Sequence, residues 1–149
     1  PLETTWRLTL NSPDGGFAVT GSIGKFDATK LSSITEPLGL ASISSGTINK
    51  LDFAMTGNDL KADGEATLLY EDLKIKLLKP GNEPGDDLEK KKVISLLANL
   101  FTKNNNPSNG VTRKSDINYD RDITKSFFNL LWKSIFSAAK KTAMGKNDD

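Results

Sequence analysis

The sequence contains no cysteine and no histidine, and these two absences exclude most of the common catalytic and metal-binding chemistries. Without them the chain can form no Ser-His-Asp triad, no cysteine nucleophile, no disulfide and no Cys/His zinc site. The sequence also has no signal peptide and no apolar run of about 18 residues, the length that a membrane-spanning helix needs. Carboxylate chemistry, lysine chemistry, oxygen-ligand metal sites and binding remain.

A length of 149 residues with 36% hydrophobic residues suits one domain with its own core. The chain begins with Pro1 rather than methionine, so we expect a processed or truncated piece of a longer protein. The missing cysteines are equally compatible with the cytosol and the periplasm. Composition alone therefore predicts neither the compartment nor the function.

Residues 1–78 show the period of two that is typical of strands with one apolar face. Trp6–Leu10 and Phe17–Gly24 flank the turn sequence Ser12–Gly16, and this arrangement predicts a β-hairpin. The following segment, 25–40, is predicted to be an irregular connection. The first part of the chain is therefore expected to fold as an antiparallel meander.

Two longer strand-like runs follow at about 41–56 and 60–78. The apolar positions change parity around Gly46 and Lys50 and again near Glu71, which predicts β-bulges or bends at these places. These strands are too few for a closed eight-stranded barrel. We therefore expect an open sheet whose apolar face is covered by another element.

The second part of the chain, 79–149, changes to a helical period of 3.6 residues. A polar linker over 79–89 leads into a predicted amphipathic helix over 88–103, and a predicted loop over 108–119 follows. The last predicted helix covers 122–144. The fold class is therefore α+β: an open antiparallel sheet with bulges, followed by two amphipathic helices that pack on or beside its apolar face.

The last predicted helix, Asp122–Met144, has an unusually wide apolar face. Asp120 or Asp122 can cap its start, and Gly145 can end it. Its apolar arc allows two interpretations: packing onto the sheet, or an amphipathic helix that meets a bilayer or a partner protein. The residues of this arc are Ile123, Phe127, Phe128, Leu130, Leu131, Trp132, Ile135, Phe136 and Ala139.

The apolar face of the sheet is itself a candidate binding surface, because an open groove could shelter acyl chains from water. We expect such a groove to be lined by Phe17, Val19, Ile23, Ile43, Phe53, Met55, Ala66 and Leu68. Taken over sheet and helix, the candidate lipid or partner contacts are Phe17, Val19, Ile23, Phe53, Met55, Leu68, Phe127, Phe128, Leu131, Trp132, Ile135 and Phe136.

The charged clusters predict no catalytic, cofactor or metal site. Glu71 and Asp72 are adjacent in a strand and point to opposite faces. The aspartates within 113–122 lack a calcium-loop glycine and a closing glutamate, so with their basic neighbours they predict a salt-bridged loop. The lysines at Lys90–Lys92 head a predicted helix without interleaved aromatic residues, so nucleic-acid binding is not indicated.

Three segments of the chain, 45–53, 63–75 and 121–135, resemble the C-terminal region of AsmA-like proteins, a family related to AsmA and TamB. Most of the resemblance lies in Gly64–Lys74, which contains the run Leu-Tyr-Glu-Asp-Leu-Lys. The sequence is similar to the versions found in Bacteroidetes, over about residues 15–140.

The resemblance implies the end of a membrane-anchored cell-envelope protein with most of its mass in the periplasm. Such proteins are built from half-open β-structure with an apolar inner face, and they are implicated in outer-membrane assembly and in phospholipid transport between membranes. The implied partners are phospholipid or a membrane surface, upstream β-repeats of the same chain, or an envelope protein. No catalysis is implied.

We therefore expect a β-sheet part over 1–78 and a part over 79–149 with a linker and two helices, which together form one domain of a longer protein. An alternative hypothesis is a protein-interaction module that pairs through its exposed sheet edge or its C-terminal helix. An enzyme that uses carboxylates is the third hypothesis.

Overall fold

Strands of one antiparallel sheet and one long helix form most of the structure, a computed structural model that describes residues 1–36, 41–77 and 103–145. The strand order is β1-β2-β4-β5-β6, β3 pairs with β4, and the sheet does not close. The predicted α+β class is therefore confirmed. In chain order the elements are β1 (Leu2–Leu8), β2 (Phe17–Ile23), β3 (Phe26–Asp27), a 3₁₀ turn (Ala28–Leu31), α1 (Ser32–Thr35), β4 (Ala41–Gly57), β5 (Lys61–Leu77), β6 (Ser115–Asp120) and α2 (Phe127–Met144).

The linker predicted over 79–89 lies outside the described residues, and so does the helix predicted over 88–103, apart from Lys103. Among the described residues, no helix has the length and hydrophobicity that crossing a bilayer requires.

The predicted hairpin is confirmed, with its first strand beginning earlier than expected. β1 pairs with β2 in an unbroken antiparallel register that ends at Leu8 and Phe17. The turn between them is closed by Thr9, whose N–H donates to the Gly16 carbonyl at 3.0 Å. Gly15 supports this turn with a φ of +68°, which an L side chain rarely adopts. The Pro-Asp-Gly turn chemistry therefore acts as the sequence predicts.

The predicted bulges are also present. The register between β4 and β5 shifts at three places: between Ile43 and Ser45, across Gly46, and between Ile48 and Lys50. Gly46 has a φ of +126°, and on the partner strand Asp72 has a φ of +50°. Bulges of this kind generally bend a strand and increase its local twist.

Replacing Gly46 by alanine is expected to lower the free energy of unfolding by about 2 kcal/mol, because a Cβ there would combine backbone strain with a clash. The added atom would lie 2.7 Å from the Cα of Leu73. Urea unfolding followed by circular dichroism measures the change. Gly16→Ala is the matched control, since the nearest atom to its Cβ, the Ser12 Oγ, is 3.4 Å away. Equal losses in both variants would contradict the assignment of strain to the bulge.

The loop predicted over 108–119 is wrong in its second half, where β6 extends the sheet. Lys61 of β5 pairs with Asp120, and the ladder continues to the pair of Ala66 and Ser115. β6 contains a single aliphatic side chain, Ile117, which is buried. Its own sequence is therefore too polar to show a strand pattern, and the backbone ladder offered by β5 determines its conformation.

The start of the last helix differs from the prediction, whereas its end agrees. α2 begins at Phe127 and not at Asp122, because Ser126 accepts the N-cap hydrogen bond from the Asn129 N–H at 3.2 Å. The Asp122 carboxylate instead accepts hydrogen bonds within the turn that precedes the helix. Gly145 ends α2 in the left-handed conformation with a φ of +66°, as predicted.

α2 packs over β5 and β6. One side of its wide apolar face therefore packs onto the sheet, which was the first of the two interpretations. Small residues face each other across this contact. Ala62 and Ala66 of β5 are buried against the helix layer, and Ser134 and Ala138 of α2 are fully buried. Small side chains let the helix axis approach the sheet closely. Because α2 lies over the β5–β6 end of the sheet, part of the apolar face next to the helix stays uncovered by it.

Candidate functional site

An apolar groove lies between α2 and the part of the sheet that the helix does not cover. Its volume is about 290 Å³. The floor is formed by Leu51 and Phe53 of β4 and by Leu68 of β5. These floor residues are only 7–8% exposed, so the groove opens directly onto the hydrophobic core. Among the described residues, the surface that lines this groove is apolar.

One wall of the groove is a second apolar stripe of α2. Trp132, Ile135, Phe136 and Ala139 follow one another at helical spacing and line the groove. The rings of Trp132 and Phe136 are stacked, with centroids 6.0 Å apart. All four side chains are half-buried. The wide apolar arc of this helix therefore serves two contacts, one with the sheet and one with the groove.

The opposite wall is the short helical segment between β3 and β4. The Ser32 hydroxyl donates to the Ile43 carbonyl at 3.1 Å and accepts from the Ile43 N–H at 2.8 Å. The Thr35 hydroxyl donates to the Ala41 carbonyl at 2.6 Å. These bonds attach the segment to β4 and place Leu31 beside the groove. The wall is therefore held to β4 by hydrogen bonds, and Leu31 and Thr35 contribute to the lining of the groove.

The residues predicted as lipid or partner contacts fall into three groups. Those that line the groove are Ile23, Phe53, Leu68, Trp132, Ile135 and Phe136. Those that lie in or against the core and do not line the groove are Phe17, Val19, Met55, Phe127 and Leu131. Phe128 is 69% exposed and packs its ring edge against Trp6 and Phe127. Strand parity identified the apolar face, but it did not show which part of that face the helix covers.

Several groove residues were missed by sequence reasoning. The 3₁₀ turn and α1 lie within 25–40, which was predicted to be irregular, so their contribution was not foreseen. Leu73 and Ile75 follow the bulge in β5, where the change of parity made the facing side ambiguous. Leu51 was also missed, although it lies in the same parity run as Phe53, and this shared parity was a signal that could have found it.

A buried asparagine connects the floor of the groove to the segment after residue 103. Asn106 is 0% exposed, and its side-chain NH₂ donates to the carbonyls of Leu68 at 2.6 Å and of Arg113 at 2.9 Å. Its side-chain oxygen accepts from the Arg113 N–H at 2.8 Å. Its backbone forms both hydrogen bonds of a β-bridge with Tyr70. Asn106 therefore fixes this segment to β5 with a fully satisfied set of polar groups.

Arg113 extends this polar contact to the end of α2. Its guanidinium donates to the Tyr70 hydroxyl at 3.0 Å and to the Thr142 carbonyl at 3.3 Å. The Tyr70 hydroxyl in turn donates to the Lys103 carbonyl at 2.7 Å. Burial raises the pKa of Tyr70, although the nearby Arg113 lowers it, so the phenol stays protonated and able to donate at neutral pH. We call Tyr70, Asn106 and Arg113 the polar clamp.

The polar clamp corrects the prediction of a salt-bridged loop over 113–122. Within the described residues, Arg113 donates to carbonyls and to a hydroxyl and makes no ion pair. Lys114 reaches Glu65 on β5 at 3.1 Å, and Arg121 reaches Asp59 at 3.7 Å. Lys114 and Arg121 therefore attach this segment to β5 and to the turn between β4 and β5, and not to its own aspartates.

The fold and the groove define a class of protein: an open α+β sheet protein with an apolar groove beside its helix. Within 1–36, 41–77 and 103–145, no group of His, Cys, Asp or Glu side chains is arranged to hold a metal ion. Comparisons with known protein families, with curated proteins and with solved structures found no match to this chain.

Proposed function

We propose that this chain is a non-catalytic terminal domain of an AsmA-like cell-envelope protein and that its groove holds an acyl chain of a phospholipid. The observation that carries the proposal is the groove of about 290 Å³ with its apolar lining. The resemblance of 45–53, 63–75 and 121–135 to AsmA-like proteins supports a periplasmic location and a role in phospholipid transport or outer-membrane assembly.

The volume of the groove suits a single acyl chain. An apolar cavity of about 150 Å³ in another protein binds one benzene molecule, so the groove described here has room for on the order of a dozen carbon atoms. Each methylene removed from water contributes about 0.8 kcal/mol. A chain of this length therefore gains enough free energy for binding without any polar contact.

The rim of the groove offers a place for an anionic head group. Lys140 of α2 is exposed and contacts the groove through the carbon atoms of its side chain. A lysine of this kind keeps its ammonium group in water while its stem covers apolar surface. The ammonium group can therefore meet a phosphate or carboxylate at the entrance while the acyl chain lies inside.

Filling the groove is the direct test of this function. Ala139→Trp places an indole ring in the groove wall, and we expect the affinity for a fluorescent fatty acid such as cis-parinaric acid to fall more than about tenfold, because the space for the chain is lost. Titration by fluorescence measures the affinity, and native mass spectrometry of the gently purified protein detects any lipid that co-purifies.

Ala54→Trp is the matched control. Ala54 lies on β4 with an exposed side chain, on the strand face opposite to Phe53 and Met55, so the same substitution leaves the groove open. Equal affinities of the Ala139→Trp variant and the unchanged protein would contradict acyl binding in the groove.

A further inference from the structure

β1 is an edge strand that lacks most of the usual protection against pairing. It forms one edge of the sheet, and every one of its residues, Leu2–Leu8, is exposed. Its register with β2 runs from Leu2 to Leu8 without a bulge, and the strand contains neither proline nor lysine. Native proteins normally use these devices to prevent an edge from pairing with another chain.

The backbone groups that β1 presents at this edge are defined by its pairing with β2. The Pro1 carbonyl accepts from the Gly24 N–H, and the Thr9 N–H donates to the Gly16 carbonyl, both at 3.0 Å. Odd-numbered residues therefore bond to β2, since the direction alternates along an antiparallel strand. The residues that direct their N–H and C=O groups away from the sheet are Leu2, Thr4, Trp6 and Leu8.

We propose that β1 pairs in antiparallel fashion with β1 of a second copy of this chain, about a twofold axis at Thr5. In this register Leu2 lies opposite Leu8 of the partner subunit, and Thr4 lies opposite Trp6 of the partner subunit. These are the residues whose backbone groups are free, so both strands pair over their whole length. Such an interface is isologous, the usual form of a soluble dimer.

The charges of β1 favour this register over its neighbours. Glu3 lies opposite Arg7 of the partner subunit, and the twofold axis repeats this pair on the other side of Thr5. Neither Glu3 nor Arg7 makes an ion pair within the described part of the chain. If the register of the two β1 strands shifted by two residues, Glu3 and Arg7 would no longer lie opposite each other. If it shifted by one residue, the free N–H and C=O groups of one strand would not face those of the other.

The dimer would also change the surroundings of the groove. Leu2 and Thr4 line the groove and lie on the paired strand, so the twofold axis brings two grooves to one interface. Leu2 is 64% and Leu8 is 56% exposed in the single chain, and the opposing strand would cover both. A contact of one strand is small by the standard of stable interfaces, so we expect a dimer with a dissociation constant in the micromolar range.

Site-specific crosslinking tests the position of the twofold axis. Because the chain contains no cysteine, an introduced cysteine can form a disulfide only with the same cysteine of another copy. Directly opposed residues across a strand pair have Cβ atoms about 4.5–5.5 Å apart, close to the geometry of a disulfide. Thr5→Cys meets itself across the axis and is expected to form a covalent dimer under mild oxidation. Arg7→Cys is the control, because each copy lies opposite Glu3 and far from the other cysteine.

Charge reversal tests the register independently. Glu3→Arg and Arg7→Glu each place like charges opposite each other twice, so each variant is expected to dimerise about tenfold more weakly at low salt. An equimolar mixture of the two variants restores opposite charges at both pairs and is expected to associate as the unchanged protein does. Sedimentation velocity over a range of concentrations measures the association, and circular dichroism confirms that each variant is folded.

Three results would each overturn the proposal: a monomer at all concentrations up to hundreds of micromolar, equal crosslinking of the Thr5→Cys and Arg7→Cys variants, or a mixture of charge variants that associates no better than either alone. The Ala139→Trp variant distinguishes this proposal from the function of the groove. It is expected to lose acyl binding and to dimerise normally, so each idea can fail without the other.

Discussion

Asn106→Ala is expected to lower the free energy of unfolding by about 3–5 kcal/mol, because it removes every side-chain bond of a fully buried polar group. The variant leaves the carbonyls of Leu68 and Arg113 without their donor, and the Arg113 N–H without its acceptor. An unsatisfied buried group costs about 1–3 kcal/mol, and the three groups together account for the expected total. Urea unfolding of both proteins measures the difference.

Asn105→Ala is the matched control for this experiment. Asn105 is the neighbouring residue and is exposed, and its side chain accepts one hydrogen bond, from the Asp72 N–H at 2.9 Å. Water can replace this bond, so the expected loss is below about 1 kcal/mol. Similar losses in the two variants would show that Asn106 stabilises the fold no more than an exposed turn residue does.

The polar clamp holds the second part of the structure against the first by hydrogen bonds, in addition to the ion pairs of Lys114 with Glu65 and of Arg121 with Asp59. Tyr70 belongs to β5, Asn106 and Arg113 belong to the segment before β6, and the guanidinium reaches the Thr142 carbonyl near the end of α2. Hydrogen bonds to carbonyls depend little on ionic strength, unlike exposed ion pairs. Leu68 both lines the groove and accepts from Asn106, so the clamp also fixes the groove floor.

Local patterns predicted the parts of the fold that local physics determines. The Pro-Asp-Gly sequence before Phe17 predicted the hairpin, because its residues fix the turn by their own conformational preferences. The parity changes around Gly46 predicted the bulges, since a side-chain period of two must slip where a strand gains a residue. Gly145 predicted the end of α2 for a similar reason.

The features that were missed depend on partners distant in sequence. β6 has one aliphatic residue, Ile117, and becomes a strand because β5 offers a ladder. Asn106 has no pattern around it that predicts burial, and its partner Leu68 lies in a strand 38 residues earlier. The same limit applied to the groove: strand parity identified Phe53 and Leu68 of its floor, whereas the wall before β4 depends on hydrogen bonds with Ile43.

The wide apolar arc of α2 separates into three surfaces that a helical wheel merges. Leu130 and Leu131 face the sheet, Trp132 and Phe136 face the groove, and Phe128 is exposed near the start of the helix. A wheel records hydrophobicity around the axis but not what lies opposite each side chain. The sequence therefore left two interpretations of the arc open, packing onto the sheet or contact with a bilayer or partner, and could not assign its residues to separate surfaces.

Leu130→Ala is expected to lower the free energy of unfolding by about 3 kcal/mol, whereas Phe128→Ala should lower it by less than about 1 kcal/mol. Leu130 is 1% exposed against the sheet, so its truncation leaves a cavity that the small residues around it cannot fill. Phe128 is 69% exposed and loses only its ring contacts with Trp6 and Phe127. Thermal and urea unfolding of both variants measure the two losses.

The alternative is that α2 leaves the sheet and inserts into a bilayer. In that case Leu130→Ala would change stability in solution no more than Phe128→Ala does, and both variants would bind liposomes more weakly in a flotation assay.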